Sequence, residues 1–222
     1  MDILKKPLSE GTVKLIQTYD EIARAVADTD DLDAKVRVCS NAIGMCESSK
    51  DSIKKSKILY WTHNNIADSL VRKNDNYSGY DFDRKYYQDA LEHYNGALKS
   101  AYENKEKAST LNKIAHVYKN LGDMDAWLQA HHSRIGTLNN HNKKRAYIDL
   151  LEHVREDRHA VEVLEKALEY VQHERVSEKV KCKNAKDICM SLIALYERMD
   201  DRENLARVQY LYDAADRKHL LI

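Results

Sequence analysis

Proline and glycine are almost missing from this chain, with one Pro and six Gly in 222 residues. These are the strongest helix breakers, so their scarcity leaves long helices joined by short turns. No strand pattern competes anywhere. Net charge is missing too, since 36 Lys and Arg balance 36 Asp and Glu. That removes the broad positive field that binding to nucleic acid or an anionic membrane draws on, and no nucleic-acid partner is expected. The local runs Lys50, Lys54, Lys55 and Lys57, and Asp28, Asp30, Asp31 and Asp33, read as solvated faces and helix ends.

No apolar run approaches the roughly 18–20 residues that cross a bilayer. The segment Met1 to Pro7 has no apolar signal-peptide core. A cytoplasmic chain without membrane insertion is the expectation. Cysteines are few: Cys39 and Cys46, then Cys182 and Cys189, each pair seven positions apart. At ~1.5 Å of rise per residue, such partners on one helix stand roughly 10 Å apart, too far for a disulfide. Buried free thiols are expected. Catalytic motifs are thin as well, with no phosphate-cradling glycine loop, no H-E-x-x-H and no C-x-x-C. No metal, cofactor or catalytic residue is therefore assigned.

What is present is helical periodicity that recurs. Ala90, Tyr94, Ala97 and Leu98 carry one signature, and Ala160, Leu164, Ala167 and Leu168 repeat it 70 residues later. That is close to two units of about 34 residues, the mark of a stacked solenoid. Between them, Ile114-Ala115, Tyr118 and Gly122-Asp123 supply the partner signature.

Residues 1–11 read as a lead-in. Thr12 caps a first helix, and a second follows from Leu32 to Cys46. A third spans Ser52 to Val71. The stretch 72–83, rich in Asn, Asp, Ser and Gly, reads as an irregular insertion. Further helices are expected over Arg84–Tyr102, Lys107–Leu121, Met124–Leu138, Lys144–Val154, His159–Gln172 and Val180–Met199. A capping helix over 203–222 closes a single domain of 12–222.

The recurring pairs resemble the tetratricopeptide-repeat family. The first helix of each of its repeats carries a large residue, then a small one, then an aromatic or apolar residue three positions on. Ile22-Ala23 with Val26, Ile66-Ala67 with Leu70, and Ile114-Ala115 with Tyr118 fit. Tyr147-Ile148 with Leu151 and Leu192-Ile193 with Tyr196 fit less well. The small residues let helices approach closely while the large ones fill the groove between repeats. Departures are Lys35, Trp127 and Leu205 at positions that want a small residue, and the missing terminal proline. The resemblance implies an all-α, right-handed α-α superhelix of about five degenerate helix hairpins, acting as a non-enzymatic scaffold or adaptor.

It also implies a concave groove for a partner peptide or domain, lined by Arg24, Asn64, Asp68, Asn112, His116, Lys119, Arg145 and Asp149. The surface is polar and of mixed sign, suited to gripping an extended backbone with amides. Asp20 and Asp68 place negative charge where the family's chaperone-binding members hold a terminal carboxylate, which argues against that ligand. A second candidate surface is the insertion tip, with Tyr77, Tyr80 and Phe82.

Two other function classes remain open. Arg134 and His141, spaced Arg-x6-His, resemble the signature of small helical (HEPN-like) endoribonucleases, although Gly136 and Asn139-Asn140 put them across a turn. Exposed terminal repeats could instead stack end to end in an oligomeric structural subunit.

Overall fold

The computed structural model describes residues 32–47, 52–75 and 84–220. Among these the chain is all-helical, with nine α-helices, one short 3-10 turn and no strand. They are α1 (Leu32–Glu47), α2 (Ser52–Asp75), α3 (Arg84–Ser100), α4 (Asn104–Leu121) and α5 (Met124–Gly136). Then follow α6 (Asn140–Leu151), α7 (Asp157–Tyr170), α8 (Glu178–Arg198) and α9 (Arg202–Leu220). The first helix expected from Thr12, with Arg24 on it, lies outside the described residues. The insertion tip with Tyr77, Tyr80 and Phe82 does too.

The chain divides into two compact units, Met1–Ala130 and His131–Ile222, with the division falling within α5. In the first, α2 packs on α1 and on α3, and α3 packs on α4. In the second, α7 packs on α6 and on α8, and α8 packs on α9. Sequence neighbours are thus spatial neighbours among α1–α4 and among α6–α9 where these contacts are made.

Turn chemistry sets these boundaries. Gly122 takes the left-handed conformation at φ 77° that ends α4. The Gly122 N–H donates to the Lys119 carbonyl, and the Asp123 N–H to the Tyr118 carbonyl at 3.0 Å. Asp123 then accepts from the Ala126 N–H at 3.0 Å, capping α5. At the start of α4, the Glu106 carboxylate reaches back to the N–H groups of Tyr102 and Glu103. That cap starts α4 three residues earlier than the apolar period alone indicates.

The largest departure from expectation is at the end of α2. Arg72 to Asp75, read as the opening of an irregular insertion, are one more helical turn. Their composition favours a turn, but their partners are tertiary. Lys73 pairs with Asp33 at 2.8 Å, and Asp75 accepts from the Tyr87 hydroxyl at 2.7 Å. Weak local propensity yields to such contacts.

The repeat-signature residues are where the apolar surface is buried. Ile66 and Ala67, Ala90 and Ala97, Ile114 and Ala115, and Leu164 and Ala167 are all buried. Lys35 and Trp127, at positions that want a small residue, are buried nonetheless. In the first unit, Ile66 joins Cys39 and Ala42, with Val36, Trp61 and Leu70 around them. All four cysteines are free and buried. Burial pushes the Cys39 and Cys189 thiols up to about 11 and raises that of Cys46. Since the thiolate is the reactive species, the native chain should leave an aromatic disulfide reagent almost unreacted. All four thiols should react once the chain is unfolded in guanidinium; fast reaction of the native protein would contradict this burial.

Candidate functional site

The polar residues of α2, α3 and α4 form a ladder across the first unit. Asp68 and Asp75 stand seven apart on α2, Tyr94 and Tyr87 seven apart on α3, and Lys113 and Asn120 seven apart on α4. Seven residues is about two helical turns, so each pair shares a face, and three aligned helices make two rungs. In the first rung the Tyr94 hydroxyl donates to Asp68 Oδ1 at 2.6 Å. Lys113 Nζ donates to Asp68 Oδ2 at 2.7 Å and lies 5.8 Å from the centroid of the Tyr94 ring. In the second rung the Tyr87 hydroxyl donates to Asp75 and accepts from the Asn120 amide at 2.9 Å. Burial and the adjacent Asp68 carboxylate hold the Tyr94 phenol proton far above its ordinary range.

The second unit repeats the first rung's chemistry. Glu165 on α7 accepts from the Tyr196 hydroxyl of α8 at 2.9 Å and pairs with Arg207 of α9. A carboxylate, a tyrosine from the next helix and a cation from the helix after that recur in order. Burial, with Glu165 second, pushes Tyr196 up to about 12.

Above the first rung lies a pocket of about 340 Å³. Asp68, Val71 and Arg72 of α2 form one wall and Asn112, Lys113 and His116 of α4 the other, with Tyr94 between. Three residues assigned to the groove from sequence, Asp68, Asn112 and His116, therefore meet around one cavity. His116 also lies 3.2 Å from the Asn120 amide.

The other assigned residues are placed differently. Asn64 is 7% exposed, and its amide donates to the Tyr60 carbonyl at 2.9 Å and approaches Thr110 Oγ1 at 3.5 Å. It is a seam residue between α2 and α4. Lys119 is exposed on α4, and Arg145 and Asp149 are exposed on α6 in the second unit. Arg134 is half-buried in the last turn of α5, its Nε without a hydrogen-bond partner among the described residues. His141 stands in the first turn of α6, across the turn from it. The sequence reading missed Arg72, Lys113 and the tyrosine rungs. The rungs, Lys113 included, were signalled by the shared spacing of seven on three successive helices.

Beside the ladder, His63 of α2 meets His93 of α3, Nδ1 to Nδ1 at 3.1 Å, with ring centroids 5.3 Å apart. One ring must donate and the other accept, so the contact cannot form with both rings protonated. Burial, helped by His93, lowers His63 to about 4. His93 is also lowered by burial, against the pull of Glu92 and Asp89. Gly96 makes room, because a Cβ there would stand 2.8 Å from the His63 ring.

No family model matches this chain, and no curated protein sequence matches it. Among solved structures it is similar to BtubC (BKLC) from P. vanneervenii, with 15% identity and a TM-score of 0.40. The match covers 98% of this chain and 91% of that one. A likeness at this level carries no argument about function. No described helix is long and apolar enough to cross a membrane. Among the described residues, no group of three or more His, Cys, Asp and Glu side chains is placed to hold a metal ion.

Proposed function

We propose that this chain is a non-enzymatic, cytoplasmic protein–protein interaction scaffold of the tetratricopeptide type. In this reading its helix hairpins stack as a right-handed superhelix, and a partner segment lies against the α2–α4 face of the first unit. The observation that carries the reading is the pocket in which Asp68, Asn112 and His116 converge. Groove positions inferred from the family's register should lie together, and the lining of one pocket by these three supports that reading. The buried large–small pairs beneath them supply the close helix approach that such stacking needs.

Asn64 is a poor probe of the groove, because removing its amide disturbs the seam to Thr110 as well. Asn112 and His116 are exposed and suit the purpose. Affinity capture from native lysate should be run with the wild type and with an Asn112→Ala, His116→Ala double variant. Chains held by the wild type should be depleted at least several-fold on the variant, with helicity unchanged. Equal capture by both proteins would rule this groove out.

A further inference from the structure

The pocket's own hydrogen bonds give it an electrostatic bias. Asp68 is engaged by the Tyr94 hydroxyl on one oxygen and by Lys113 on the other. Asp75, one helical turn past Arg72, is turned to the Tyr87 hydroxyl. Arg72 thus has a carboxylate four residues before it and another three residues after it, and both are drawn toward α3 and α4. Ordinarily an arginine so flanked would pair along its own helix. Among the described residues, no carboxylate pairs with the exposed Arg72 side chain. Asn112 and His116 face it across the pocket, and Lys113 lines the same wall while donating to Asp68 and to Asn64 Oδ1. Among the described residues, the walls thus offer the Arg72 guanidinium, the Asn112 amide and His116, with no unengaged carboxylate.

We infer that this pocket receives an acidic side chain of a partner polypeptide, seated on Arg72 and flanked by Asn112, His116 and Lys113. The inference rests on the peptide-binding reading above and adds the partner's chemistry to it. A guanidinium offers two parallel N–H groups that match a carboxylate, so Arg72 fixes the orientation of the incoming group as well as its charge. The negative charge of Asp68, which from sequence argues against an acidic ligand, is neutralised within the fold by a lysine 45 residues later.

The test uses the full chain and three labelled peptides, one of alternating Glu and Ser, one of Lys and Ser, and one of Gly and Ser. Fluorescence anisotropy should show binding of the Glu peptide alone, weakening as salt is raised. Arg72→Gln should weaken that binding about tenfold, as expected for losing a charged hydrogen bond. Arg72→Glu should abolish it, and Arg217→Gln on α9 should leave it unchanged. Unaltered helicity of the variants separates lost binding from lost folding. Equal binding of the Lys or Gly peptide, or an Arg72→Gln protein that binds as before, overturns the acidic assignment and leaves a peptide groove standing. Failure of all three peptides also overturns it, and the capture experiment then decides the groove itself.

Discussion

Replacing Asp68 with Ala should cost about 3 kcal/mol of folding stability and remove the floor of the pocket. The substitution deletes one carboxylate but strands two other groups. The Tyr94 hydroxyl, on a side chain only 2% exposed, loses its acceptor. Lys113 loses its counterion and keeps only a 3.4 Å contact to Asn64 Oδ1 and the face of the Tyr94 ring. An orphaned polar group costs about 1–3 kcal/mol, and breaking a fully buried pair one-sidedly about 3–5. The side chains of Lys113 and Asp68 are 34% and 36% exposed, so water recovers part of that cost. Asp68→Asn keeps an oxygen acceptor and should cost only about 1 kcal/mol. Urea unfolding should show a lower midpoint with unchanged slope. An Asp68→Ala protein within about 0.5 kcal/mol of the wild type would mean that the ladder holds nothing together.

That ladder also marks what could be read from the sequence. The large–small pairs at Ile66-Ala67 and Ile114-Ala115 were legible because apolar spacing reports burial directly, and all four residues are buried. Tyr94 was legible as a bulky seam residue for the same reason. Its hydroxyl was not, because period shows which face is buried but not which polar atom on a neighbouring helix will meet it. Asp68, Asn112 and His116 follow from register and do share a pocket. Asn64, one turn before Asp68, follows from the same register, yet Thr110 and the Tyr60 carbonyl draw its amide into the seam. Arg72 was hidden by composition, since Asn74, Asp75 and the residues after them favour a turn. Distant partners, Asp33, Tyr86 and Tyr87 among them, hold that last helical turn in place. Burial is a local signal, whereas charge compensation across 45 residues is not.

Acidification should destabilise the first unit through the His63–His93 contact, by about 2 kcal/mol between neutral pH and pH 4. His63 is held down to about 4 in the folded chain against an ordinary value of 6.5. Above pH 6.5 the ring is neutral whether the chain is folded or not, and the contact contributes fully. Below 6.5 the unfolded chain takes up a proton that the folded chain refuses, so stability falls until the folded ring also protonates near 4. The full shift would correspond to about 3 kcal/mol, and the half-exposed setting of the rings reduces it. Asp89 and Glu92 on α3 oppose the effect at His93 without restoring it to its ordinary value. His132 in the second unit is also lowered by burial and adds to the loss in the same window, although Glu162 acts against it. The carboxylates whose values are lowered by partners, Glu103, Asp157, Glu178 and Asp201, lose their contribution only at lower pH. Comparing urea midpoints at pH 7 and pH 5 therefore isolates the histidines, and His63→Gln isolates the pair. The variant should be less stable than the wild type at pH 7 but lose less on acidification. An identical loss in both proteins would assign the acid sensitivity to His132 instead.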